Sequence, residues 1–221
     1  MEEEENMLSL RVANEHPNVL FLGAHCDDIE IGCGATILKL KKELRADFSV
    51  KWIVFASNSI RANETKKSSS AFLDGVKSKE VVILGHRDGF LQAKWEKIKE
   101  WFEEEKSRFD PDMIFTHYRY DLHQDHRLIN ELTWNTYRNH LILEYEIPKY
   151  DGDLGPPNFY VPVGEEIVDE KSRIIFESFH SQDGKAWFTP DAIKGLMRVR
   201  GLETNQPERF AEAFYARKVV F

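Results

Sequence analysis

Only two cysteines occur in the 221 residues, Cys26 and Cys33, and they do not stand in CxxC spacing. No disulfide framework is expected, and a chain of this length can bury a sufficient core without one. Long apolar runs are also missing: nothing approaches the roughly 20 residues of a membrane span. The amino terminus has no apolar signal-peptide core and carries Glu2 to Glu5 instead, so no secretion signal is expected and the chain reads as cytoplasmic. That start, residues 1–16, reads as a partly disordered acidic tail. Basic blocks are absent too, and the formal net charge of −8 argues against a general nucleic-acid binder. A dinucleotide loop is excluded at Gly32-Cys33-Gly34, because position 37 is Ile37 instead of glycine and the preceding Asp27 and Asp28 would repel a pyrophosphate.

What is present is alternation. Strand-like runs at Val19–Ala24, Val50–Ala56, Val81–Leu84 and Met113–His117 are separated by helical patterns at Ile37–Leu44, Ala62–Lys77 and Trp95–Phe109. A helix over Leu128–Asn139 follows, then a strand at Leu141–Ile147, a Gly/Pro loop over Lys149–Asn158 and an edge strand at Phe159–Val163. Helices at Glu165–Ser178 and Asp191–Arg200 and a closing strand at Ala213–Phe221 complete the chain. This order predicts an α/β fold with a Rossmann-like, mostly parallel sheet, helices on both faces and the active site at the carboxyl ends of the strands. One domain is expected over residues 1–221, with the region after about residue 145 as an accessory layer or lid.

Two clusters of ionisable residues fall at predicted strand ends. The first is His25-Cys26-Asp27-Asp28 and the second His123-Gln124-Asp125-His126. Two histidines and a carboxylate brought together from such loops make a three-ligand set that leaves room for water and substrate. A zinc held by His25, Asp28 and His126 would lower the pKa of its water to about 7. Asp27 then stands free as general base, His123 can stabilise the oxyanion formed at a carbonyl, and Asp125 can orient an imidazole. The set is complete for amide hydrolysis.

These residues resemble the PIG-L/LmbE-like zinc de-N-acetylases. The family's AHPDD motif is matched by Ala24-His25-Cys26-Asp27-Asp28, its HPDH motif by His123-Gln124-Asp125-His126, and a softer AEAF pattern by Ala211-Glu212-Ala213-Phe214. The resemblance implies one zinc per chain on His25, Asp28 and His126, Asp27 as base, a transition-state role for His123, an orienting role for Asp125 and substrate contact by Arg61. It also implies an amino-sugar substrate, free or conjugated. Cys26 and Gln124 replace the two motif prolines, which leaves the ligands in place and changes the loops around them. A homo-oligomer stays open.

Each feature also has a plainer reading. His25 to Asp28 alone could be an acidic helix cap; the second cluster makes the metal reading the better one. Asp121 reads as a cap before a ligand, and His16, His86, His117, His140 and His180 as single structural or surface histidines. Trp187 and Phe188 divide evenly between core and pocket wall, and Arg198 and Arg200 read as a helix end before a phosphate contact. Two further functions use the same ligand types: a non-haem iron(II) oxygenase and a catalytically silent sugar-binding relative. The first usually needs an antiparallel barrel, and the second has no use for Asp27.

Overall fold

The computed structural model describes residues 14–220; most of the expected acidic tail lies outside them. Strands β1 (Asn18–Gly23), β2 (Ser49–Ala56), β3 (Ser78–His86), β4 (Met113–His117), β5 (Leu141–Tyr145), β6 (Phe159–Val163) and β7 (Phe210–Ala216) form one seven-stranded sheet in the order β3-β2-β1-β4-β5-β7-β6. β3, β2, β1, β4 and β5 run parallel, while β7 is antiparallel to both β5 and β6. The helices are α1 (Asp28–Glu43), α2 (Ser59–Phe72), α3 (Trp95–Arg108), α4 (Gln124–Thr136), α5 (Glu165–Ser178) and α6 (Pro190–Thr204).

The apolar strand runs mean burial on both faces. Along β1, Val19 and Phe21 enter one core with α1, α5 and α6, while Leu20 and Leu22 enter the other with α3 and α4. Side chains that alternate between faces therefore serve two cores, and each fully buried Leu or Phe contributes about 1.5–3 kcal/mol. Helices thus cover both faces of a mostly parallel sheet, as the alternation predicts.

Several boundaries differ from the sequence reading. α1 begins at Asp28, well before Ile37, because its first half is buried all round and shows no amphipathic stripe. Gly32 belongs inside that half: a Cβ there would come 2.3 Å from the Tyr145 ring, so only glycine allows the close approach of α1 to β5. α2 stops at Phe72 before a turn in which Gly75 adopts φ +79°. The closing strand spans Phe210–Ala216 and lies inside the sheet between β5 and β6. The region after about residue 145 supplies β6 and β7 to the same sheet, α5 against α1 and α2, and α6 against β7.

From β1 the chain moves outward through β2 and β3, then returns to place β4 on the other side of β1. The loops leaving β1 and β4 therefore diverge at a topological switch point, where open α/β sheets form a crevice.

Candidate metal centre

The first cluster leaves β1 into the start of α1, and the second leaves β4 into the start of α4. The switch point brings them together across about a hundred residues of sequence. His25 Nδ1 stands 3.1 Å from His126 Nε2 and 3.4 Å from Asp28 Oδ2, and His126 Nε2 is 3.5 Å from Asp28 Oδ1. Bonds of about 2.0–2.2 Å place the donors of a tetrahedral zinc about 3.3–3.5 Å apart. Asp28 meets the two rings through different oxygens. Among the described residues the donor groups close enough to share an ion are His25/His123/His126, Asp28/His117/His126 and His25/Asp88/Asp125, which between them include all three residues.

The outer partners decide which nitrogens carry protons. His126 Nδ1 lies 2.9 Å from Asp121 Oδ2, and His25 Nε2 lies 3.2 Å from Asp125 Oδ2. A carboxylate can only accept, so each ring donates outward and turns a lone pair inward. Two lone pairs and a carboxylate then face one another, which requires a proton or a metal ion between them. Their titration agrees: burial and neighbouring His117 hold His126 down to about 4, so it is neutral at pH 7. Burial would lower His25 as well, but Asp28, Asp125 and Asp88 outweigh it and keep that ring basic. Asp28 is pulled well below the usual carboxylate range, against its burial, by His126, His117 and His25.

Asp27 turns away from Asp28. Its Oδ1 pairs with Arg61 Nη2 at 2.7 Å, while its buried Oδ2 has no hydrogen-bond partner. Burial raises this carboxyl above its ordinary range and Arg61 only partly offsets the rise, the condition of a base that can take a proton. Arg61 lies in the first turn of α2 and is steadied by Ser181 Oγ at 3.4 Å and by the Phe179 ring at 5.5 Å. His123 caps α4: its Nδ1 accepts the Asp125 N–H at 3.2 Å, which leaves the Nε2 proton as a donor. Its ring meets the His25 ring edge-on at 4.7 Å. Beside them an open cleft of about 410 Å³ runs past His25, Cys26, Asn58, Arg61, Arg87 and Asp88, large enough for a sugar ring and a substituent.

All seven expected site residues therefore meet at one place, and three more join them. Asp125 also accepts the Gly89 N–H at 2.7 Å, which brings up the loop after β3, where Asp88 Oδ1 sits 3.0 Å from His25 Nε2. Asp88 follows the end of a predicted strand, and that position was a usable signal. His117 is fully buried and far from partnerless: it accepts the Ala24 N–H at 2.8 Å and stacks on His126 at 3.9 Å. Nothing in its own stretch of sequence reveals a partner 93 residues away. Asp121 is not the cap of α4, which is His123; it accepts the His123 N–H at 2.8 Å in the turn before the helix and holds His126 as well.

Other candidates fall to structural roles. Arg200 is buried against Glu146 in two contacts of 2.7 Å, and Arg198 donates to the Arg209 carbonyl. Phe188 packs in the core against Phe176, with Trp187 beside it. Cys26 and Cys33 are buried free thiols. Among the described residues no helix is long and apolar enough to cross a membrane.

Known proteins share this fold. The N,N'-diacetylchitobiose deacetylase from Pyrococcus horikoshii superposes with a TM-score of 0.66 at 20% identity, over 90% of this chain and 82% of that one. The zinc inhibited form of teicoplanin deacetylase Orf2 gives 0.67 at 11% identity, over 90% and 97% of the two chains. GalB, the 4-carboxy-2-hydroxymuconate hydratase from Pseudomonas putida, gives 0.68 at 12% identity, over 93% and 98%. At these identities the likeness shows the fold, and it spans more than one reaction. The family model of the GlcNAc-PI de-N-acetylases matches residues 20–137, more than half of the chain and the whole span of both clusters. The chain belongs to the PIG-L, or GlcNAc-PI de-N-acetylase, family.

Proposed function

We propose that the chain is a zinc-dependent hydrolase that removes an N-acetyl group from an amino sugar or amino-sugar conjugate. The observation that carries this reading is the convergence of His25 Nδ1, His126 Nε2 and the Asp28 carboxylate within 3.1–3.5 Å, beside a buried carboxylate oxygen without a partner. His25, Asp28 and His126 would hold the zinc. When bound, it would supply a water acidified to a pKa of about 7 and a polarised acetyl carbonyl.

The chain's own residues do the rest. Asp27 takes the proton of the attacking water on Oδ2, the oxygen that Arg61 leaves free. His123 donates its Nε2 proton as a hydrogen bond to the acetyl oxygen while negative charge gathers there. The C–N bond then breaks, the proton on Asp27 passes to the departing nitrogen, and acetate and a free amine result. Asp125 keeps the His25 ring turned, and Arg61 both steadies Asp27 and lines the cleft for the sugar.

The test is acetate release by zinc-loaded protein from N-acetylglucosamine, N,N'-diacetylchitobiose and an N-acetylglucosaminyl lipid. Release from at least one of them, lost in Asp27→Asn while zinc stays bound, is the expected outcome. Acetate from none of them would overturn the deacetylase reading, and an Asp27→Asn variant as fast as wild type would overturn the role of the base.

A further inference from the structure

The His126 ring can present its Nε2 lone pair inward only while its single proton sits on Nδ1. A neutral imidazole carries that proton on either nitrogen, and the alternative tautomer would point an N–H at His25 and Asp28. Asp121, itself buried, is the acceptor at Nδ1, with Oδ2 2.9 Å away, and it competes with His25 Nδ1 at 3.1 Å and Asp28 Oδ1 at 3.5 Å on the Nε2 side. We infer that Asp121, clamped from the connection after β5 by Lys149 and Asp153, is the positioning residue that fixes His126 in its metal-binding tautomer.

The clamp is specific. Lys149 Nζ donates to Asp121 Oδ2 at 2.9 Å and to Asp153 Oδ2 at 2.5 Å, and Asp153 Oδ2 also accepts the Leu122 N–H at 2.7 Å. Asp121 Oδ1 accepts the His123 N–H. One short turn is therefore tied at three consecutive residues, Asp121, Leu122 and His123, and its direction aims both His123 and His126. Lys149 compensates the charge of Asp121 inside the protein, which an isolated buried carboxylate would lack. Both Lys149 and Asp153 lie beyond residue 137, where the family match ends. The clamp on Asp121 is thus completed by a loop outside the matched segment.

Asparagine cannot replace this aspartate. If its amide oxygen stays on the His123 N–H, its NH2 group faces both His126 Nδ1 and the Lys149 ammonium, and the ring must move its proton to Nε2. If the amide flips, the NH2 group meets the His123 N–H and the turn loses its tie. Asp153→Asn is the contrasting change, because Asp153 holds the same turn and the same lysine without touching a histidine.

This inference rests on the metal centre proposed above, and the experiment separates the two. Zinc affinity is measured by chelator competition for wild type, Asp121→Asn and Asp153→Asn, with thermal unfolding of each metal-free protein as a folding control. Asp121→Asn should bind zinc about 10–100-fold more weakly, and Asp153→Asn within about threefold of wild type. Equal affinity in wild type and Asp121→Asn, or equal loss in both variants, would overturn the assignment. The tautomer is read independently by nitrogen-15 NMR of the His126 imidazole in the metal-free wild type. A proton on Nδ1 is expected, and a proton on Nε2 would overturn the inference even if no variant folds. Wild-type protein that binds no zinc yet shows the Nδ1 tautomer would refute only the metal reading.

Discussion

If Arg61 acts on catalysis through Asp27, removing both should cost no more turnover than removing Asp27 alone. The pair is 2.7 Å apart, with 14% of the Arg61 side chain and 6% of the Asp27 side chain exposed, so water screens it poorly. Loss of a hydrogen bond between charged groups in such a place is worth about 1.5–3 kcal/mol, or roughly 10–150-fold when it is felt only in the transition state. Asp27→Asn removes the base and should lower kcat about 10²–10⁴-fold. Arg61→Ala should lower kcat by about 10–150-fold through the misplaced carboxylate, with a further rise in KM from the lost cleft wall. In the double variant the kcat loss should match Asp27→Asn, while the KM rise persists. The assay is steady-state acetate release by the four proteins under saturating zinc. Multiplicative kcat losses would refute the coupling and leave Arg61 as a substrate contact independent of the base.

The remaining expectations concern stability and metal binding. In metal-free protein the contributions of His126 and His25 together should peak near pH 6.5. Burial and His117 hold His126 down to about 4, so the unfolded chain binds the proton first and stability is lost as pH falls from about 6.5 to about 4. His25 runs the other way: its carboxylate neighbours overcome burial and raise it above 6.5, so its contribution is full below that pH and fades as pH rises. A Tm that keeps climbing through pH 8 would contradict this. Gly32→Ala should destabilise by about 1–3 kcal/mol in urea unfolding, because its Cβ would meet the Tyr145 ring at 2.3 Å; an unchanged midpoint would mean that α1 can shift freely. Asp125→Asn should weaken zinc binding about 10–100-fold by loosening His25, read by the same chelator competition, and full affinity would show that Asp88 suffices.

How much of this was legible in the sequence depended on whether a residue's task was local. β1 and β4 could be read because each carries an apolar run, Val19–Leu22 and Met113–Phe115, with a His/Asp cluster downstream. Six of the seven site residues could be read because each motif keeps its donors within four positions of sequence, while Arg61 came from the family resemblance alone. The first half of α1 could not, since burial on every side erases the 3.6-residue pattern that marks a helix. The limits of β7 could not be read either: apolar residues return at Val219 and Val220 beyond Arg217 and Lys218, although pairing ends at Ala216 with β5 and at Phe214 with β6. His117 and Lys149 belong to the site only through partners brought near by strand order and by a long connection. Asp88 was within reach, because a carboxylate just beyond a parallel strand stands at the crevice whatever its own sequence looks like.

The central claim is that His25, Asp28 and His126 hold one catalytic metal ion. Elemental analysis of protein purified without added metal, wild type beside Asp28→Ala and Asp27→Asn, tests it most directly. The account expects about one zinc per chain in wild type and Asp27→Asn and almost none in Asp28→Ala, with acetate release in wild type alone. Equal zinc in wild type and Asp28→Ala, or none in wild type even after reconstitution, would contradict it.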